Sequence, residues 1–220
     1  MKAWQIWQIV TNFGDSALLL PVAAILVGWM LYEKAWRCAT IWLLLFVPAL
    51  AVVLGAKLAF LGWGIGIEQL DFTGPSGHTT LSMAIYPTLA VWIVQRMQPR
   101  NHAAAYLLGW LFALVVGISR LVLHKHSVSE VVAGVALGTM VSLTWTWLSA
   151  LDSRPTHHFV LASAIVIMVM CSLHGERAPT QNAIAHWAIA MSGRPVAYNR
   201  YTAWPNSPYR KIRYIDPWGV

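Results

Sequence analysis

Gly74-Pro75-Ser76-Gly77-His78 interrupts a chain that is otherwise strongly apolar. Residues 40–63 form a hydrophobic run before it and residues 79–95 form another directly after it, so a polar turn separates two segments long enough to cross a bilayer. A second junction of the same kind starts at Ser119-Arg120, passes through His124, Lys125 and His126, and ends at Glu130. It joins the runs 103–118 and 128–148. Long apolar runs joined by short polar junctions indicate an all-α integral membrane bundle whose reactive groups gather where helices end.

Composition extends this reading to the whole chain. Of 220 residues, 58% are hydrophobic and only 10% charged, whereas a soluble domain carries about 25% charge. Spans are expected at residues 17–32, 40–63, 79–95, 103–118, 128–148 and 159–173, giving about six transmembrane helices. Asp15-Ser16 supplies an N-cap for the first, and no small-residue cleavage site follows it, so it reads as a mature helix and not a signal peptide. Before it, residues 1–14 mix Trp4, Ile6, Trp7, Ile9, Val10 and Phe13 with a few polar groups, as a segment lying in the interface does. Gly134 and Gly138 have the spacing for close helix packing. Two parts follow: a bundle at 1–173 and a basic, aromatic extension at 174–220 that includes Arg177, Arg194, Arg200, Arg210, Lys211 and Arg213.

The net charge of +7 is scattered between spans and in the extension, which suits anionic membrane lipid and gives no nucleic-acid module. With six spans, both termini and both polar junctions share one face. The opposite face has short loops with Lys34, Arg37, Arg96, Arg100 and Arg154 against Glu33 and Asp152. By the positive-inside rule that face is cytoplasmic and the junctions face outward, toward the periplasm of a bacterial inner membrane. Cys38 and Cys171 then lie on opposite faces and form no disulfide.

The residue types at the junctions suggest phosphate chemistry. Gly74 to His78 precedes a helix, whose free N–H groups and positive dipole end attract anions, and Gly77 lets a ligand approach the backbone. The alternative is a Pro-Gly turn with Ser76 as a capping hydroxyl. Arg120 offers a bidentate phosphate contact. Glu130 lies four residues after His126, close enough on a helix to hold one ring N–H and leave the other nitrogen free to attack. Ser127 and Glu130 equally fit a capping box, which needs no chemistry. Lys57, roughly two turns before the end of its span, either snorkels or meets an anion. A metal site from His78, His124 and His126 with Glu68 and Asp71 is disfavoured by the nearby Arg and Lys. Gly62, Gly64 and Gly66 follow no strand and read as a tight helix exit.

Taken together, these residues resemble the type 2 phosphatidic acid phosphatase family, whose pattern has three parts. Pro75, Ser76, Gly77 and His78 match the second; Ser119, Arg120 and His126 match the third, with Glu130 where Asp is usual. Of the first, only Lys57 matches, since Gly64 and Ile65 stand where Arg-Pro is expected. The resemblance spans residues 15–148 in layout and leaves the extension outside it. It implies a membrane lipid phosphatase with no metal or other cofactor, acting on a lipid phosphate such as undecaprenyl diphosphate, phosphatidic acid or phosphatidylglycerol phosphate. His126 would be the nucleophile forming a phosphohistidine, Glu130 its orienting acid and His78 the general acid. Lys57, Ser76, Gly77 and Arg120 would bind phosphate; the missing arginine implies either weaker phosphate affinity or another cation, such as Lys125, in its place. A lipid phosphotransferase, or a phospholipid-binding protein of weak activity on the same fold, is the alternative.

Overall fold

The computed structural model describes residues 3–97, 102–149 and 159–205. Among them the helices are α1 (Ala3–Asn12), α2 (Ser16–Tyr32), α3 (Trp36–Trp63), α4 (Gly77–Met97), α5 (His102–Val122), α6 (Val128–Ser149), α7 (Phe159–Leu173), α8 (Thr180–Ser192) and α9 (Arg200–Ala203), with no strand. Four stretches are long and apolar enough to cross a membrane: Trp4–Tyr32, α3, α5 and α6. α7 is apolar but has only 15 residues, and α4 is long enough but less apolar, so the expected six holds as an approximation.

α4 is less apolar because it is the centre of the bundle. It packs against α2, α3, α5, α6 and α7, and Met97 is its only exposed residue. A helix that lipid never touches has no need of a greasy surface, and Thr79, Thr80, Ser82, Thr88, Gln95 and Arg96 all sit buried along it. Threonines satisfy themselves locally: the Thr88 hydroxyl donates to the Ala84 carbonyl at 2.8 Å. The surrounding helices show the reverse distribution. Leu107, Leu108 and Leu111 on α5, Val132, Leu143 and Trp147 on α6, and Leu44 and Val47 on α3 point outward, as lipid-facing side chains do.

Close approach to α4 is made by glycine. A Cβ on Gly138 would lie 2.5 Å from both the Met83 Cβ and the Thr80 carbonyl oxygen, and one on Gly134 would lie 3.0 Å from the Ser76 oxygen. The packing expected of this pair therefore sets α6 against α4 beside the Ser76 turn. Polar bridges add to it, with Trp110 Nε1 donating to Thr139 Oγ1 at 2.9 Å and Trp145 Nε1 to the Cys38 carbonyl at 3.0 Å. Cys38 and Cys171 are both free thiols.

Asp15 caps α2 as expected, accepting from the Ala17 N–H at 2.9 Å. At the other end of the bundle two of the loop charges are buried against each other. The side chains of Arg96 and Glu33 are 3% exposed or less and form an ion pair. Trp29 Nε1 donates to Glu33 at 2.8 Å, and the Arg96 guanidinium stacks 3.7 Å from the Trp92 ring centre. Arg100, Asp152 and Arg154 lie outside the described residues, as do Met1, Lys2, Arg210, Lys211 and Arg213.

Candidate active site

The loop from α3 to α4 folds the Pro75-Ser76-Gly77-His78 turn back onto α3. Gly64 ends α3 in the left-handed region, at φ 69°. Ile67 and Phe72 then exchange backbone hydrogen bonds at 2.9 and 3.0 Å, and Gly74, at φ 144°, has room for no more than a hydrogen against Ala56. This brings Gly77 beside Lys57: a Cβ on Gly77 would meet Lys57 Nζ at 3.6 Å. Lys57 thus points at the N-terminus of α4, the end that already carries positive potential. Ser76 is fully buried, with its hydroxyl accepting from Thr79 Oγ1 at 3.0 Å and its N–H donating to the Glu130 carbonyl at 2.9 Å.

The second junction is tied to the first through that contact. α5 ends at Val122, and His124 takes a left-handed conformation at φ 50°, which turns the chain so that the Lys125 N–H meets the Arg120 carbonyl at 2.9 Å. His126 then sits one residue before the Ser127 cap. Its Nδ1 lies 2.7 Å from Glu130 Oε2, and its Nε2 has no hydrogen bond to the described residues. Both readings of Glu130 hold at once: Ser127 N–H also donates to Oε2 at 3.2 Å, and Glu130 N–H donates to Ser127 Oγ at 3.3 Å, completing the capping box. The cap is what fixes the carboxylate at the foot of the imidazole. Burial holds His126 below its ordinary value, at about 4, with Arg120 and Lys57 acting in the same direction and Glu130 opposing them. Its ring is therefore neutral at physiological pH, as a nucleophile must be.

Arg120 and His78 complete the cluster. Arg120 is 5% exposed; its Nη1 donates to Thr11 Oγ1 of α1 at 2.7 Å, and its buried Nε finds no partner among the described residues. An unmatched guanidinium N–H in such a place suits an anion. His78 lies within electrostatic range of Arg120, His126, Lys57 and Lys125. Its Nε2 is 3.7 Å from Asp15 Oδ2, and Gly14 packs on its ring. All seven residues expected at the site, Lys57, Ser76, Gly77, His78, Arg120, His126 and Glu130, therefore stand at one end of the bundle.

The imagined metal ligands do not converge there. Asp71 Oδ1 is taken by Arg200, His126 Nδ1 by Glu130, and His124 is exposed. Four contributors were not apparent from sequence. Thr73 donates both its N–H, at 2.9 Å, and its hydroxyl to Glu130 Oε1. Thr11 holds Arg120, and Asp15 faces His78. Arg200 of the extension donates to Glu130 Oε1 at 2.6 Å. None lies in a motif, and Asp15 alone gave a signal, which was for its cap.

Comparisons with known proteins place this geometry in context. Residues 58–154 match the PAP2 superfamily. An uncharacterized 22.5 kDa protein in the cps region of Klebsiella pneumoniae is 40% identical over 190 residues, covering 84% of this chain and 91% of that protein. Phosphatidylglycerophosphatase B of Bacillus subtilis is 29% identical over 139 residues, 60% of this chain and 68% of the relative. A PA-phosphatase related-family protein of Dictyostelium discoideum is 34% identical over 91 residues, 38% of this chain and 25% of its own length. No solved structure matches.

Proposed function

The chain belongs to the PAP2 superfamily, and we propose that it removes phosphate from a membrane lipid through a phosphohistidine on His126. At the coarser level it is a membrane protein and a phosphoric-ester hydrolase of lipid phosphates. The proposal adds the chemistry and the substrate class. The observation that carries it is the 2.7 Å contact between His126 Nδ1 and the buried Glu130 Oε2, with Nε2 left unengaged beside the Lys57, Gly77 and Arg120 cluster.

In this reading the lone pair of neutral His126 Nε2 attacks phosphorus, and the bond from phosphorus to the leaving oxygen breaks. His78, neutral before substrate binds because burial and the nearby cations lower its pKa, takes up a proton as the bound phosphate anion offsets those cations, and gives it to that oxygen. Glu130 accepts the Nδ1 hydrogen bond and stabilises the positive charge that develops on the ring. Lys57, the Ser76 hydroxyl, the Gly77 N–H and Arg120 offset the charge on the equatorial oxygens, so catalysis is mainly positioning and electrostatics. Water, losing a proton to His78, then attacks phosphorus, the P–N bond breaks and His126 is restored.

A site at the end of a membrane bundle favours a substrate whose headgroup is presented from the bilayer, a polyprenyl or glycerolipid phosphate or diphosphate. An outward-facing site in a bacterial inner membrane is the orientation we propose with it. The test is phosphate release by purified, detergent-solubilised protein from undecaprenyl diphosphate, phosphatidic acid, phosphatidylglycerol phosphate and diacylglycerol diphosphate, with EDTA present. Release from one of them should persist in EDTA and vanish in a folded His126→Ala variant. Full activity in that variant would end the phosphohistidine reading.

A further inference from the structure

The extension returns to the site. α8 packs along α3, the Tyr198 N–H donates to the Leu61 carbonyl at 2.8 Å, and the Tyr198 ring covers Gly64. Trp204 lies against Phe60 with ring centres 5.2 Å apart. Between these anchors α9 is a single turn, capped by Asn199, whose side chain accepts from the Thr202 N–H at 2.8 Å. Its first residue, Arg200, points inward: Nε donates to Asp71 Oδ1 at 3.0 Å and Nη2 to Glu130 Oε1 at 2.6 Å. Asp71 is 2% exposed and Glu130 wholly buried. Two buried carboxylates from separate junctions thus share one guanidinium, and the second oxygen of one of them holds His126.

We propose that Arg200 is a positioning residue for the reaction, fixing the Glu130 carboxylate in the rotation that presents Oε2 to His126 Nδ1. This rests on His126 being the nucleophile. The physical need is plain. Glutamate has one more rotatable bond than aspartate before its carboxylate, and each oxygen here must be pinned separately. Without Arg200 the Glu130 Oε1 keeps only the neutral Thr73 donors and loses the cation paired with it at 2.6 Å, so the carboxylate either turns or takes a proton more readily. In both cases His126 loses its acceptor. A lysine at this place is a point donor and does not reproduce the fork that spans two carboxylates.

The experiment uses the full chain in detergent, with Arg200→Ala, Arg200→Lys, Glu130→Gln and the Arg200→Ala/Glu130→Gln double variant. One readout is kcat and KM on a lipid the wild type turns over. The other needs no turnover: the pH dependence of diethyl pyrocarbonate labelling at His126, followed by mass spectrometry. Arg200→Ala should lower kcat on the order of tenfold to a hundredfold with KM changed by less than about threefold. Added guanidinium ion should restore part of that rate, Arg200→Lys should not be fully active, and the double variant should be no slower than Glu130→Gln alone. His126 labelling should change in Arg200→Ala and show no further change between Glu130→Gln and the double variant. An Arg200→Ala protein with wild-type kcat and a wild-type labelling profile overturns the proposal, as does a loss in the double variant that simply multiplies the two single losses. If the wild type releases phosphate from no lipid, labelling decides alone: an altered His126 profile upholds Arg200 while the phosphatase reading fails, and an unaltered one ends the proposal.

Discussion

The Asp15 carboxylate faces two ways: Oδ1 caps α2 at the Ala17 N–H, 2.9 Å away, while Oδ2 lies 3.7 Å from His78 Nε2. Oδ1 also accepts from the Ala178 N–H at 3.2 Å. One side chain therefore joins the start of the first span, the entry to the extension and a histidine of the site.

Cap and charge separate by substitution. Asn caps a helix as well as Asp does, so Asp15→Asn should unfold within about 0.5 kcal/mol of wild type, whereas Asp15→Ala should lose about 1 kcal/mol. Both should lower kcat, because both remove the anion beside His78. Thermal unfolding in detergent, set against phosphate release, checks this. A fully active Asp15→Asn would leave Asp15 with its cap alone.

The buried imidazole of His126 fixes the acid side of the pH profile. Its folded-state value, about 4, lies below that of a free histidine, so the neutral, attacking form is present above that value and is lost as pH falls through it. The acid limb of kcat/KM should accordingly fall below about pH 6, lower than an exposed histidine would give. The same sign applies to folding: the contribution of neutral His126 is complete above the unfolded value and declines as pH drops toward the folded one. A limb centred near that of free histidine would contradict this.

Glycines in the bundle divide by what a methyl group would meet. At Gly138 a Cβ collides with α4 backbone and Met83 at 2.5 Å, while at Gly55 nothing lies within 4 Å. Gly138→Ala should cost about 1–3 kcal/mol by overpacking. Gly55→Ala should be neutral or gain up to about 1 kcal/mol from helix propensity. Comparing their unfolding temperatures in the same detergent measures the difference.

At the far end of the bundle, Arg96→Leu removes the guanidinium paired with the buried Glu33 carboxylate, and should cost about 3–5 kcal/mol. Replacing both partners, Glu33→Leu with Arg96→Leu, should recover much of that loss. A double variant less stable than Arg96→Leu alone would show that the pair stabilises the fold beyond mutual neutralisation.

The sequence made the bundle legible because lipid imposes a length and a composition on every helix it touches. α4 escaped that rule: its neighbours shield it, and its threonines and buried Arg96 look like a weaker span until the packing is known. At the site, local spacing carried the information. His126 and Glu130 are four residues apart across the start of α6, and Pro75 to His78 sit at a helix start, so both could be read directly. The arginine that reaches Glu130 is Arg200, 70 residues further along. No periodicity reports an ion pair over that separation, and it depends on Tyr198 and Trp204 docking on the end of α3. Thr11 and Arg120, 109 residues apart, were hidden for the same reason.

Arg200 also sets an order of events in time. A ribosome releases residue 130 well before residue 200, so the six apolar segments can enter the bilayer while Glu130 still lacks its guanidinium. A nascent chain in the membrane would thus hold His126 loosely until α9 docks. On the proposed role of Arg200, competence for phosphoryl transfer would then come after membrane insertion of the segments that carry the motifs, as a separate docking step.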